Sequence, residues 1–227
     1  GDEGNKAVMC FHGYTSEGLN DYGSLSHYYL KHGFRMLLID LRAHGKSEGE
    51  HIGFGNMDRL DGMRWVQWMV EKMGDDAQIL LHGNSMGSAT VCMMSGLELP
   101  PQVKGIISDC ASTSMKEVFT HVLHSMYHIP AFPMLQIADW ANKRQVGYGL
   151  DDLSSAREVR KAKVPFLFIH GEDDVFVPCW MTEEIYKNCA SPKTKLIVKG
   201  AGHGESYYKD TEGYERAMDS FIGGVIK

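Results

Sequence analysis

A chain of 227 residues with a formal net charge of -6 is long enough for one domain with a sizeable core. The acidic balance, with no basic stripe against it, argues against a nucleic-acid surface. No apolar run approaches the ~18 residues that a membrane-spanning helix requires.

From the N-terminus, Lys6 to Phe11 reads as a strand, and Leu19 to His32 as a helix with Leu25, Tyr28 and Tyr29 on one face. Arg35 to Asp40 is the next strand. Met57 to Met73 is a helix, with Leu60, Met63, Val66 and Met69 spaced for one apolar stripe. Gln78 to Leu81 is a strand, followed by a helix that opens on Gly87-Ser88-Ala89-Thr90 and runs to about Leu97. Val103 to Ser108, Pro165 to Ile169 and Lys195 to Val198 complete the strands; Trp180 to Cys189 and Tyr207 to Val225 are helices. Short apolar strands alternating with amphipathic helices predict an α/β fold, a mostly parallel sheet covered on both faces.

About fifty residues separate Cys110 from Val164, more than one crossover needs. Lys116 to Tyr127 and Met134 to Gln145 read as helices, broken by Pro130 and Pro133. Their apolar residues, among them Val118, Phe119, Leu123, Met126, Phe132, Leu135 and Trp140, suit a small cap over the sheet edge. The expected organisation is a single domain, 1–227, with a cap insertion at about 111–163.

The cysteines at 10, 92, 110, 179 and 189 form an odd set without a C-x-x-C pair, and Cys10 and Cys110 fall on predicted buried strands. All five read as reduced thiols, which fits a cytoplasmic protein. Only Gly1 to Asn5 precede the first strand, with no initiator methionine, so this location is compatible with a removed targeting or anchoring segment.

Gly83-Asn84-Ser85-Met86-Gly87 is the most informative stretch. It matches G-x-S-x-G between a predicted strand and a predicted helix, the context of a nucleophile elbow. Such a turn lifts the serine hydroxyl clear of the sheet, and side chains at 83 or 87 would collide with neighbouring backbone. Two later strands end in chemistry-bearing loops. Ile169 leads into His170-Gly171-Glu172-Asp173-Asp174, and Val198 leads into Gly200-Ala201-Gly202-His203-Gly204. Serine, then acid, then histidine, each past the carboxyl end of a strand, is the chain order of α/β-hydrolases.

With these residues the chain resembles the α/β-hydrolase superfamily, and within it bacterial cinnamoyl esterases, monoacylglycerol lipases and small carboxylesterases. Phe11-His12-Gly13-Tyr14, Asp40-Leu41-Arg42-Ala43-His44-Gly45-Lys46-Ser47, the elbow, His170 through Pro178, and Ala201-Gly202-His203 carry the resemblance over nearly the whole chain. Two further strands usually precede the His-Gly loop in that family, and this sequence starts too late to include them. The family loop is more often Arg-Gly-His-Gly, so Ala43 suggests a backbone there that needs no glycine.

The resemblance implies a serine hydrolase that cleaves carboxylic esters through an acyl-enzyme. Ser85 is the expected nucleophile and His203 the base. The spacing His-Gly, two residues, Asp, two residues, Val-Pro selects Asp174 as the acid, with Glu172, Asp173 and Asp109 as alternatives. The backbone amides of Tyr14 and Met86 form the expected oxyanion hole, and His12 is expected to hold its loop in shape. No cofactor is called for. His121, His124 and His128 fall on one predicted helical face without a third-ligand pattern, so no metal is expected. The expected partner is a small-molecule acyl ester. A small aminopeptidase or amidase, or an acyltransferase, is the rival on the same site, with Glu17, Glu205 and Asp139 as carboxylates for a free amino group. A non-catalytic ligand binder is the second rival.

Overall fold

The computed structural model describes residues 4–227. Its strands are β1 (Lys6–Phe11), β2 (Arg35–Ile39), β3 (Gln78–Asn84), β4 (Val103–Asp109), β5 (Phe166–Gly171) and β6 (Lys193–Val198). All pair in parallel, in the order β2-β1-β3-β4-β5-β6. The chain steps outward from β1 to β2 and then back across β1 to β3. The direction of winding therefore reverses between β1 and β3, where open α/β sheets place their ligands.

The helices are α1 (Gly18–Lys31), α2 (Asp58–Met73), α3 (Met86–Met94), α4 (Met115–Ser125), α5 (Ala131–Val146), α6 (Ser155–Glu158), α7 (Cys179–Asn188), α8 (Ser206–Lys209) and α9 (Thr211–Val225). Successive strand residues feed opposite faces. Met9, Phe11, Ile79, Leu81, Phe166 and Phe168 join one core cluster with Val66 and Met69 of α2, Val91 of α3 and Ile185 of α7. Val8, Cys10, Leu80, Ile107, Leu167 and Ile169 join the other, with Tyr22, Leu25 and Tyr29 of α1 and Met218 and Phe221 of α9. A period of two feeding two covered faces explains why these strands read as unbroken apolar runs.

Several expectations shift. In α2 the buried face runs through Asp58, Gly62, Val66 and Met69, while Leu60 is exposed. The helix lies so close to the core that a Cβ at Gly62 would come within 2.6 Å of Met94 Sδ, so a glycine holds the inward position. The C-terminal helix is two, α8 and α9, because the Asp210 carboxylate accepts from Gly213 N at 2.9 Å and caps a new start. Cys110 lies one residue beyond β4, still buried, with φ +51°. Of the segment expected as a cap, α4 and α5 form their own cluster around Met115 and Leu135. Ala156, Val159 and Ala162 belong to the main core instead.

Candidate active site

Ser85, His203 and Asp174 meet beyond the carboxyl ends of β3, β6 and β5. Ser85 Oγ lies 2.8 Å from His203 Nε2, and His203 Nδ1 lies 2.7 Å from Asp174 Oδ2. Ser85 has φ +54° and ψ -114°, a strained conformation for a residue with a side chain. Its neighbours enforce the turn. A Cβ at Gly87 would stand 1.9 Å from Phe11 O, and one at Gly83 would stand 2.3 Å from Gly87 O. Ser85 N donates to Asp109 O at 2.9 Å, fixing the elbow to the end of β4.

Asp174 is held from both sides. Its Oδ1 accepts from the amides of Phe176 at 2.9 Å and Val177 at 2.8 Å. His170 Nε2 lies 3.2 Å from Oδ2 and donates to Val177 O at 2.8 Å. Burial pushes this carboxyl up, but the hydrogen bonds from His170, His203 and Val177 and the His203 charge outweigh it and hold it well below the usual carboxylate range. A carboxylate that stays ionised fixes the tautomer of His203 with its proton on Nδ1, leaving Nε2 free to accept the serine proton. Of the alternatives, Asp109 points elsewhere: it accepts from Tyr214 Oη at 2.9 Å, and burial raises its carboxyl above the ordinary range.

Met86 and Tyr14 both line the space beside Ser85. Met86 N is the first of α3 and has no intrahelical acceptor, and Tyr14 N finds no acceptor among the described residues. Two histidines brace this loop. Leu41 N donates to His12 Nε2 at 2.9 Å, so the His12 proton sits on Nδ1 and reaches Gly13 O at 2.7 Å. Thr15 N donates to His44 Nε2 at 3.1 Å, and His44 Nδ1 donates to Arg42 O at 3.0 Å. Ala43, beside His44, has φ +59°. The turn thus takes the left-handed region that favours glycine, and an alanine occupies it.

Residues 6–130 match the family model described as alpha/beta hydrolase fold. The chain belongs to that family. It is similar to the uncharacterized protein YqkD of Bacillus subtilis, 30% identical over 224 residues, which cover 99% of this chain and 73% of YqkD. It is similar also to the uncharacterized protein Rv2307c of Mycobacterium tuberculosis, 26% identical over 76% of this chain and 54% of that protein. The chain thus spans only part of the length of these curated relatives. Among solved structures, the esterase Pf2001 of Pyrococcus furiosus superposes with a TM-score of 0.80 at 20% identity, over 100% of this chain and 85% of that one. At such identity the likeness shows the fold.

In this alpha/beta hydrolase a cavity of about 260 Å³ opens beside Ser85. Its walls come from Tyr14, Phe54, Met86, Met115, Val118, Phe119, Val122 and Phe176, with no carboxylate among them. Tyr14 stacks on Phe54, and Phe54 meets Phe119 edge-on at 5.3 Å, so an aromatic wall runs from the loop after β1 to α4. The three carboxylates considered for an amino group lie outside this lining. Glu205 accepts from Gly202 N at 3.0 Å, and Asp139 pairs with Lys143 at 2.8 Å. His121 donates to Val175 O at 2.9 Å, and His128 falls past the end of α4, so the three histidines do not share one helical face. Cys110, Asp174 and His203 offer ligand atoms within 4.8 Å of one another. Two of these groups already hold each other: His203 Nδ1 lies 2.7 Å from Asp174 Oδ2. The five cysteines are free thiols, and no helix of the described residues is long and apolar enough to cross a membrane.

Sequence reasoning missed Asp21 and the bracing role of His44. Asp21 accepts from Gly13 N and Asn84 Nδ2 and His44 from Thr15 N, contacts between separate segments that leave no spacing signal in the sequence.

Proposed function

We propose that this protein is a serine hydrolase of carboxylic esters. Ser85 Oγ attacks the ester carbonyl carbon as His203 Nε2 takes its proton. The amides of Tyr14 and Met86 hold the oxygen that becomes negative. The C–O bond to the alcohol breaks, and His203 returns the proton to the leaving oxygen. Water then adds to the acyl-enzyme with His203 again as base, releasing the acid and restoring Ser85. Asp174 stays ionised throughout and keeps the imidazolium oriented. In this reading the protein is one domain, and α4 and α5 are its cap.

The observation that carries this reading is the unbroken chain from Ser85 Oγ through His203 to Asp174, at 2.8 Å and 2.7 Å, beside an apolar cavity. A cavity wall without a carboxylate favours an ester over the free amino group of a peptide. The test is hydrolysis of p-nitrophenyl esters beside an aminoacyl-p-nitroanilide, by wild type and Ser85→Ala. Ester turnover that vanishes in the variant is expected. Turnover of the anilide alone would shift the reading to a peptidase.

A further inference from the structure

The cavity beside Ser85 has a neighbour. Phe119, Val122 and Leu123 of α4 and Met134, Leu135 and Ala138 of α5 line an open apolar groove of about 250 Å³. Phe119 and Val122 belong to the walls of both spaces. The ring of Phe119 packs against Phe54 and forms no hydrogen bond, so the partition between cavity and groove rests on side-chain packing alone.

The side of the ester that enters this cavity is readable from the site. His203 must hand its proton to the leaving alcohol, yet it lies outside the cavity lining, whereas the oxyanion residues Tyr14 and Met86 lie within it. On that placement the cavity is assigned the acyl side, and a ladder of lengthening alcohols tests the assignment. At about 30 Å³ per methylene-sized group, a water's share of liquid volume, it holds roughly eight carbons. The groove nearly doubles that room and shares the Phe119 and Val122 walls with the cavity.

Resting on the reading of Ser85 as the acylated nucleophile, the geometry points to a substrate with a long unbranched acyl chain. The chain's first half fills the cavity, and its tail passes Phe119 and Val122 into the groove between α4 and α5. A hydrocarbon tail suits this groove because it brings no polar group to satisfy. An extended peptide laid there would leave backbone N–H and C=O groups against almost wholly apolar walls. Exposed Met134, 47% accessible at the groove edge, gains cover when a tail lies beside it.

The test is a ladder of p-nitrophenyl esters from acetate to tetradecanoate, run below micelle formation, beside a ladder of acetate esters of lengthening alcohols. Full burial gains roughly fourfold per methylene, and an open groove about half of that free energy, or roughly twofold. Wild-type kcat/KM is therefore expected to go on rising past octanoate, at least tenfold by dodecanoate. Ala138→Trp fills the groove and Met134→Glu puts a charge in it; both sites are exposed, so the fold tolerates them. Each is expected to lower the dodecanoate-to-hexanoate ratio of kcat/KM at least fivefold, with labelling of Ser85 by a short phosphonate as the check on folding. An optimum at or below octanoate in wild type, or ratios unmoved in both labelled variants, overturns the proposal. So does length dependence confined to the alcohol ladder. Silence on every ester, with no phosphonate labelling, sinks the hydrolase reading itself and this inference with it.

Discussion

Asn84 and Asp21 join the Ser85 turn to the Gly13–Tyr14 loop: Asp21 Oδ2 accepts from Asn84 Nδ2 at 2.9 Å and from Gly13 N at 2.7 Å. The other oxygen of Asp21 accepts from Ser16 Oγ. One carboxylate from the first turn of α1 thus sets the distance between Ser85 and the amide of Tyr14. That distance matters most when the carbonyl oxygen carries charge, so the loss should fall on kcat and spare KM. Asp21→Ala is expected to lower kcat by roughly 10- to 100-fold, less than the loss of a whole oxyanion donor. Asp21→Asn keeps one acceptor for Gly13 N and should recover part of the rate. Steady-state kinetics on one ester decides it, and a change in KM alone would contradict this role.

The two buried aspartates near the site make opposite predictions. Asp174 accepts from His203 Nδ1, and Asp109 accepts from Tyr214. Asp174→Asn leaves His203 without its acceptor and favours the wrong tautomer, so kcat should drop by about 10⁴. Asp109→Asn should cost less than about tenfold, because the asparagine oxygen can still accept from Tyr214. Equal losses in the two variants would move the acid to Asp109.

The fold was legible because each of its rules acts over short stretches of sequence. Strand period, helix spacing and the Gly83–Gly87 elbow are local, and the order of Ser85, Asp174 and His203 follows from the chain. What failed was set by contact between elements. Gly62 rather than Leu60 faces the core because α2 approaches Met94 too closely for a side chain. The break at Asp210 is a capping choice that helical periodicity runs straight through. Ala43 sits where the turn between Asp40 and Glu48 closes, with its amide on Glu48 O at 3.1 Å, and no local pattern announces a positive φ. Asp21 was invisible because the two partners shared by its Oδ2 are 8 and 63 residues away and one of them is a backbone amide.

Acid should loosen the fold through His82. Its ring is fully buried, with Nδ1 2.7 Å from Tyr29 Oη and Nε2 3.3 Å from Tyr214 Oη. Burial lowers it to about 3, against about 6.5 in an unfolded chain. Between those values the unfolded state binds the extra proton. The His82 contribution is therefore complete above pH ~6.5 and drains away as pH falls toward 3, by about 1.4 kcal/mol per unit. His12, lowered by burial, adds a loss of the same sign; that of Asp174 begins lower, below the ordinary carboxylate value of ~3.9. His82→Leu is expected to be less stable at pH 7.5, because the Tyr29 hydroxyl loses its partner and Tyr214 keeps only Asp109, yet to lose less between pH 6.5 and 4.5. Thermal melts across that range test this; parallel curves for the two proteins would remove His82 as the cause.

Ala43 offers a stabilising change. At φ +59° an alanine carries a left-handed penalty of about 1 kcal/mol, which glycine does not. Glycine gives some of that back through the greater freedom of the unfolded chain. Ala43→Gly is expected to raise unfolding free energy by roughly 0.5 kcal/mol, read as a shift of the urea midpoint at unchanged slope. Ala111→Gly is the control: that residue is fully buried and absent from the positive-φ positions, so it should destabilise. Ala43 also precedes His44, whose Nε2 accepts from Thr15 N beside Tyr14. Ester kcat measured on the same variant separates two roles for the alanine. Unchanged turnover would leave it as strain alone, and a lower kcat in a more stable protein would mean that its strained turn holds His44 in place.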